Sequence, residues 1–496
     1  MAASHILAID QGTSSTRSLL FDRDARRVAT AQLEFPQHYP HAGWVEHDPE
    51  HIWRDVLATA RRVIDEGGVA ARDIAGIGIT NQRETVLLWD RATGEPIHRA
   101  IVWQDRRTAD LCAELRRDEV EDEVQARTGL LLDPYFSATK IGWLLDNVAG
   151  ARARAERGEL AFGTIDCFLL WRLTGGRVHA TDVTNASRTL LWNVFEGRWD
   201  EKMCRLFGVP EALLPQVHDN AHLYGTTAPG LFDDEIPIAG MAGDQQAALF
   251  GQACFAPGMV KSTYGTGCFM LFNSGETAIA SRHRLLTTPA YRLAGRTAYA
   301  LEGSVFVAGA AVKWLRDGIG VIAQASDTDG LAAGLPGNDG VYMVPAFAGL
   351  GAPYWDPDAR GALFGLTLRS TQAHLARAAL EAVAYQTSDL LDAMAADTGV
   401  TPDLVRVDGG MAGNDWLCAF LADILALPVE RPADLEATAR GAAFHAGLAT
   451  GVWSGLAELE SLWSRDRCFE PGMDAQRRDG LVAGWRDAVR RTRSEF

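Results

Sequence analysis

Two stretches of the chain share one design, and that repetition constrains the fold more than any other feature. Ile6-Leu-Ala-Ile9 is a continuous apolar run, suited to a strand covered on both faces. It ends in Asp10-Gln-Gly-Thr-Ser-Ser-Thr-Arg17 and returns as Ser18-Leu-Leu-Phe21. After Gly251, Met259-Val-Lys-Ser-Thr-Tyr264 reads as a strand, Gly265-Thr266-Gly267 as a tight turn and Cys268-Phe-Met-Leu-Phe272 as the returning strand. A polar hairpin in each half predicts two similar α/β domains facing one cleft. The 496 residues agree, because a single core stops growing at roughly 250 to 300 residues. The boundary is placed between residues 250 and 251.

The first hairpin loop carries what a phosphate cradle needs. Gly12 permits the turn, Thr13, Ser14 and Ser15 offer hydroxyls and amides, and Arg17 offers a fork-shaped cation. A polar turn without function fits the same composition. Neither Gly-x-x-x-x-Gly-Lys-Ser/Thr nor Gly-x-Gly-x-x-Gly occurs, so a nucleotide would be held some other way. Two strand-to-helix passages offer such a way. One runs from Gly303 through Gly309 to Lys313, and the other is Val405-Arg-Val-Asp408-Gly-Gly410 leading to Asn414. Small residues there let a ligand approach the backbone, although glycine turns of this kind are routine in α/β proteins.

The segment Ile236 to Phe250 runs a short apolar strand into a glycine turn that delivers one carboxylate, Asp244. Another strand, Ile74 to Thr80, opens into Asn81-Gln-Arg83-Glu84. That adjacent opposite-charge pair reads either as solvated loop or as a clamp on hydroxyls. Trp103, at a strand end, suits a core or a pocket wall equally. Tyr135 stands just outside an amphipathic helix reaching Asn147, for which Ser137 is the expected cap. Asp48-Pro49 caps an earlier helix, and Gly441 to Gly447 predicts close helix packing. Residues 148 to 235 present no chemical constellation.

Net charge is -17 with no basic stripe, which disfavours nucleic acid and anionic membrane as partners. Phosphates must therefore be met by local devices. Seven scattered cysteines, never spaced Cys-x-x-Cys, indicate neither a zinc site nor a disulfide framework, and fit a reducing compartment. No apolar run reaches the roughly 18 residues of a membrane helix, and Asp10 interrupts any signal-peptide core. A cytoplasmic protein is expected.

Taken together, these stretches resemble the FGGY carbohydrate kinase family, and within it the members that act on glycerol. The resemblance spans essentially the whole chain. It is carried by Asp10 to Arg17, Asn81 to Glu84, Tyr135 to Asn147, Gly243-Asp-Gln-Gln246, Tyr264-Gly-Thr-Gly-Cys-Phe269, Gly361-Ala-Leu-Phe-Gly-Leu366 running into His374-Leu375 and Glu381, and Asp408-Gly-Gly410. It implies an actin-like (ribonuclease H-like) two-domain ATPase fold with a central nucleotide cleft. Residues 1 to 250 would hold the polyol and phosphate site, and residues 251 to 496 the nucleotide site. It further implies transfer of the ATP γ-phosphate to glycerol, the first step of glycerol catabolism, by a homo-oligomer, dimer or tetramer.

By motif, Arg83, Glu84, Tyr135, Asp244 and Gln245 would hold the polyol between the apolar walls Trp103 and Phe269. Thr13, Ser14, Ser15, Arg17 and Thr266 would face phosphates, and Gly309, Lys313, Gly410 and Asn414 would line the nucleoside end. Asp244 would act as general base, with Mg2+ near Asp10 and Asp244. Lys313 departs from the family's usual glutamine. Residues 228 to 235 lack both the Gly-Thr-Arg loop and the phosphorylatable histidine of regulated relatives, so no response to fructose 1,6-bisphosphate is expected there. The alternatives are a family kinase for a pentulose, hexulose or aldonate, and an actin-like ATPase without small-molecule kinase activity.

Overall fold

A computed structural model describes residues 3 to 356 and 358 to 494; Met1, Ala2, Pro357, Glu495 and Phe496 lie outside the described residues. The opening apolar run forms the strand His5–Gln11, with Ile6 to Ile9 fully buried. It pairs antiparallel with Ser15–Phe21, which pairs antiparallel with Arg27–Glu34. On its other side come Ile74–Asn81 and Pro237–Gly243, both parallel, and then Ala221–Thr226, antiparallel at the edge.

The second half repeats this order strand for strand. Val260–Tyr264 pairs antiparallel with Cys268–Gly275, which pairs with Arg296–Val305. On its other side lie Val405–Asp408 and Val429–Pro432, both parallel, and antiparallel Arg465–Phe469. One further strand, Leu286–Leu293, extends the outer edge. Two copies of one mixed sheet flanked by helices make the actin-like, ribonuclease H-like architecture. Each parallel strand ends at the junction of the halves, which is where open α/β sheets present ligand sites.

Local signals account for the helices. Asp48 accepts from the Glu50 amide at 3.0 Å to start Pro49–Gly67, and Gly68 ends it at φ +63°. An alanine-rich stretch forms the 27-residue helix Gln372–Thr398. Ser137 is a correction, because it opens the helix Ser137–Asn147 without capping it. Ser137 is the first helical residue, one position past the N-cap Phe136, and its hydroxyl donates to the Glu84 carbonyl at 3.1 Å. All seven cysteines are free. Among the described residues no helix is long and apolar enough to cross a membrane.

One helix of the second half, Ala437–Thr450, packs on the first sheet and on the helix Asp244–Gly251. Its approach is closer than any side chain allows. A Cβ on Gly441 would stand 1.8 Å from the Ala247 carbonyl oxygen, and one on Gly78 would stand 2.1 Å from that of Ala442. The expected close packing at Gly441 therefore joins the two halves.

Candidate functional site

The end of strand Ile74–Asn81 carries Arg83 and Glu84 into the junction, where both are buried. Their partners are mainly elsewhere. Arg83 donates to both oxygens of Glu302, at 2.5 and 3.0 Å, to Gln246 Oε1 at 3.1 Å and to the Tyr135 hydroxyl at 3.3 Å. Glu84, at φ +59°, takes Arg188 Nε at 2.6 Å and lies 3.8 Å from Arg83 Nε. Arg188 also reaches Glu302 at 2.9 Å. Two arginines and two glutamates thus form a neutral buried quartet. Burial opposes ionisation of Glu302, but Arg188 and Arg83 hold it below the ordinary carboxylate range. Burial lifts Glu84 above that range despite the same two cations.

Asp244 is the first residue of the helix that follows strand Pro237–Gly243. Its Oδ1 accepts from the Gln245 amide at 2.7 Å and stands 3.2 Å from Arg83 Nε. Arg83 is 2% exposed, whereas the Asp244 side chain is 30% exposed, so the carboxylate faces an opening. Enclosure raises its pKa, and Arg83 and Lys261 oppose the rise. The preceding amide, Gly243, is held by Thr184 Oγ1 at 2.9 Å, which steadies the turn. Trp103 and Phe269 stand beside this opening with ring centroids 6.4 Å apart, and Tyr135 lies 5.5 Å from Trp103.

At the first hairpin, Thr13 Oγ1 accepts from Trp103 Nε1 at 2.9 Å, Ser14 is exposed, and Ser15 accepts from Gln32 at 3.0 Å. Arg17 is engaged by carboxylates, namely Asp10 at 3.0 Å and both oxygens of Glu436 at 2.9 and 3.0 Å. Burial raises the pKa of Asp10 against the pull of Arg17. At the second hairpin, the exposed Thr266 accepts from the Ala308 and Ala310 amides through its carbonyl. Gly309 opens a helix beside it and donates to the Gly265 carbonyl at 3.0 Å. Gly409, at φ +86°, would place a Cβ 2.5 Å from the Tyr264 carbonyl oxygen, and exposed Gly410 follows. Two glycine turns therefore press on one hairpin turn. Lys313 is exposed, and Asn414 caps the helix Asp415–Leu425 by accepting from the Leu417 amide at 2.8 Å.

The structure thus gathers Arg83, Glu84, Tyr135, Asp244, Gln245, Trp103 and Phe269 in one place, and Thr266, Gly309 and Gly410 in a second. Arg188, Glu302, Lys261 and Glu436 escaped sequence reasoning. Their only signal was isolation: Lys261 is the single charge of its strand, and Glu302 is the single charge in the run from Thr297 to Val305. Among the described residues no group of three or more His, Cys, Asp or Glu side chains could hold a metal ion. Asp10 does reach Asp244 electrostatically and raises its pKa. Two acids suffice for Mg2+, which keeps several waters and takes the rest of its shell from phosphates.

The N-terminal domain of the FGGY family of carbohydrate kinases matches residues 5 to 251, and the C-terminal domain of that family matches residues 260 to 450. A curated relative from Rhodospirillum centenum, named glycerol kinase, is 62% identical over 489 residues, covering 99% of this chain and 98% of its own. A glycerol kinase from Gluconobacter oxydans is 61% identical, covering 98% of this chain and 95% of its own. The crystal structure of Plasmodium falciparum glycerol kinase with ADP superimposes with a TM-score of 0.92 at 37% identity, covering 99% of this chain and 98% of that one. A gluconate kinase from Lactobacillus acidophilus shares the fold, with a TM-score of 0.90 at 20% identity over 99% of both chains.

Proposed function

The chain belongs to the FGGY family of carbohydrate kinases, and on that premise we propose that it transfers the γ-phosphate of ATP to a terminal hydroxyl of glycerol, giving sn-glycerol 3-phosphate. The observation that carries this reading is the half-open carboxylate of Asp244 beside the sealed Arg83, flanked by Trp103, Tyr135 and Phe269. The relatives named glycerol kinase support it at 62% and 61% identity.

Glycerol is small and mostly hydroxyl, so discrimination rests on buried donors and acceptors that a missing hydroxyl would leave unpaired. Arg83 and Gln245 supply donors, Glu84 and Asp244 supply acceptors, and Trp103 and Phe269 cover the carbon backbone. A primary alcohol is a weak nucleophile. Asp244 accepts its proton as transfer proceeds, and the raised pKa of the carboxylate suits that task. The amides of the two hairpin turns, with Thr13, Ser14, Ser15 and Thr266, hold the phosphates. Arg17 joins them by exchanging Glu436 for a phosphate oxygen. Asp10 and Asp244 would hold Mg2+, which neutralises phosphate charge when bound. Gly309, Lys313, Gly410 and Asn414 line the nucleoside end.

This reading divides the chain at residue 250, with the polyol and phosphate site before it and the nucleotide site after it. The acidic composition and free thiols fit a cytoplasmic location. ADP release should be measured with glycerol, dihydroxyacetone, xylulose and gluconate, with and without Mg2+. Glycerol should be the best acceptor, and only with the metal. Faster turnover of xylulose or gluconate would move the enzyme to another branch of the family, and acceptor-independent ADP release would make it an ATPase.

A further inference from the structure

Lys261 lies in the strand Val260–Tyr264 of the second half and is fully buried. Its ammonium has three donors and spends all of them. They go to Gln245 Oε1 at 2.6 Å, Thr263 Oγ1 at 2.8 Å and the Phe269 carbonyl at 3.4 Å. Lys261 therefore has nothing left for a ligand, but it reaches across the junction to a residue of the acceptor site.

An ammonium only donates, so the atom facing it must be the amide oxygen of Gln245, and the Gln245 nitrogen must point away. Among the described residues no protein acceptor takes Gln245 Nε2, and that atom is not sealed from solvent. The neighbouring Gln246 differs. Its oxygen takes Arg83 and its nitrogen donates to Thr288 Oγ1 at 2.9 Å, so both ends of its amide have partners within the protein.

Resting on the reading of Gln245 as an acceptor-site residue, we infer that Lys261 is a positioning residue that sets the hydrogen-bond polarity of that site. It locks the Gln245 amide so that two N–H donors, and no acceptor, face the polyol. The site then pairs donors from Gln245 with acceptors from Asp244 and Glu84, and a hydroxyl beside Gln245 must offer a lone pair. Tying the same ammonium to the Phe269 carbonyl keeps this amide in register with an apolar wall of the site.

The test is a set of steady-state measurements on the wild type, Lys261→Met, Gln245→Ala, their double variant and Gln245→Glu, with glycerol and ATP varied in turn. A charge-assisted bond corresponds to roughly a tenfold to hundredfold change in affinity. Lys261→Met should therefore raise the glycerol KM at least about tenfold while the ATP KM moves less than about twofold. The double variant should have the glycerol KM of Gln245→Ala, because the lysine acts through that amide. Gln245→Glu keeps its bond to Lys261 yet turns an acceptor toward the polyol, and should raise the glycerol KM comparably. Independent, multiplying effects of Lys261→Met and Gln245→Ala, or an unchanged glycerol KM in Gln245→Glu, would overturn the inference. Gln245→Glu alone decides if Lys261→Met does not fold. A wild type inactive on glycerol would overturn the acceptor assignment instead.

Discussion

The guanidinium of Arg83 holds the carboxylate of Glu302 by two bonds, 2.5 Å from Nη1 to Oε2 and 3.0 Å from Nη2 to Oε1, between residues 219 positions apart. Both outer nitrogens are thereby committed, and Nε is the atom left nearest Asp244, at 3.2 Å. A residue of the second half thus decides which edge of Arg83 the acceptor site sees.

Glu302→Gln should destabilise the protein strongly. The amide nitrogen would face an Arg83 donor, and two buried arginines would share one remaining glutamate. Breaking a buried ion pair on one side costs about 3 to 5 kcal/mol. Urea unfolding should show a loss of that order, and the surviving enzyme should bind glycerol more weakly because Arg83 is free to turn.

Asp244→Asn should keep the fold, since an amide oxygen can still accept from the Gln245 amide and face Arg83 Nε, while the two bonds to Glu302 keep Arg83 paired. It should lower kcat by a factor of about 100 to 10,000, the range for loss of a positioned general base. Glycerol-dependent ADP release is the measurement, and a kcat within about threefold of wild type would remove Asp244 from that role.

Gly441→Ala should be destabilising out of proportion to one methyl group, because the new Cβ meets the Ala247 carbonyl oxygen at 1.8 Å and neither backbone can yield cheaply. Overpacking of this kind costs about 1 to 3 kcal/mol or more. Gly480→Ala, at an exposed position of the helix Ala475–Thr492 with nothing within 4 Å, provides the contrast and should stabilise by about 0.5 to 1 kcal/mol. Thermal unfolding of the pair separates steric closeness from helix propensity.

Acidification should weaken the fold partly through His445. Its ring is buried against Phe250 at 3.9 Å, neither nitrogen has a partner among the described residues, and burial pushes its pKa down to about 3. The unfolded chain takes up the proton near pH 6.5 and the folded one only near 3. The neutral ring's contribution is therefore whole above about pH 6.5 and is lost as pH falls toward 3. At pH 5 the loss is about 2 kcal/mol, from 1.5 units at about 1.4 kcal/mol each. His445→Leu should lose that much less stability than wild type between pH 7 and pH 5. His47 and His179, pushed down to about 3 and about 4, should keep some acid sensitivity in both proteins.

The sequence by itself determined the features whose cause is local. Runs of apolar residues around Asp10 to Arg17 and Gly265 to Gly267 specify hairpins because the strand period and the turn residues lie within one short stretch, and their recurrence foretold two halves of like topology. Asp48 announced its helix for the same reason. What each charged group would grip was decided only by tertiary structure. Glu302 meets Arg83 219 positions away, Glu436 meets Arg17 419 positions away, and Arg188 comes from a stretch that offered no chemical pattern. Ser137 stands one position past the expected cap and donates to a carbonyl 53 residues distant. An isolated charge in an apolar strand shows that a buried partner must exist, since unpaired burial is too costly to persist. It does not show which partner, because that depends on where two sheets and one crossing helix bring distant side chains within a few ångströms.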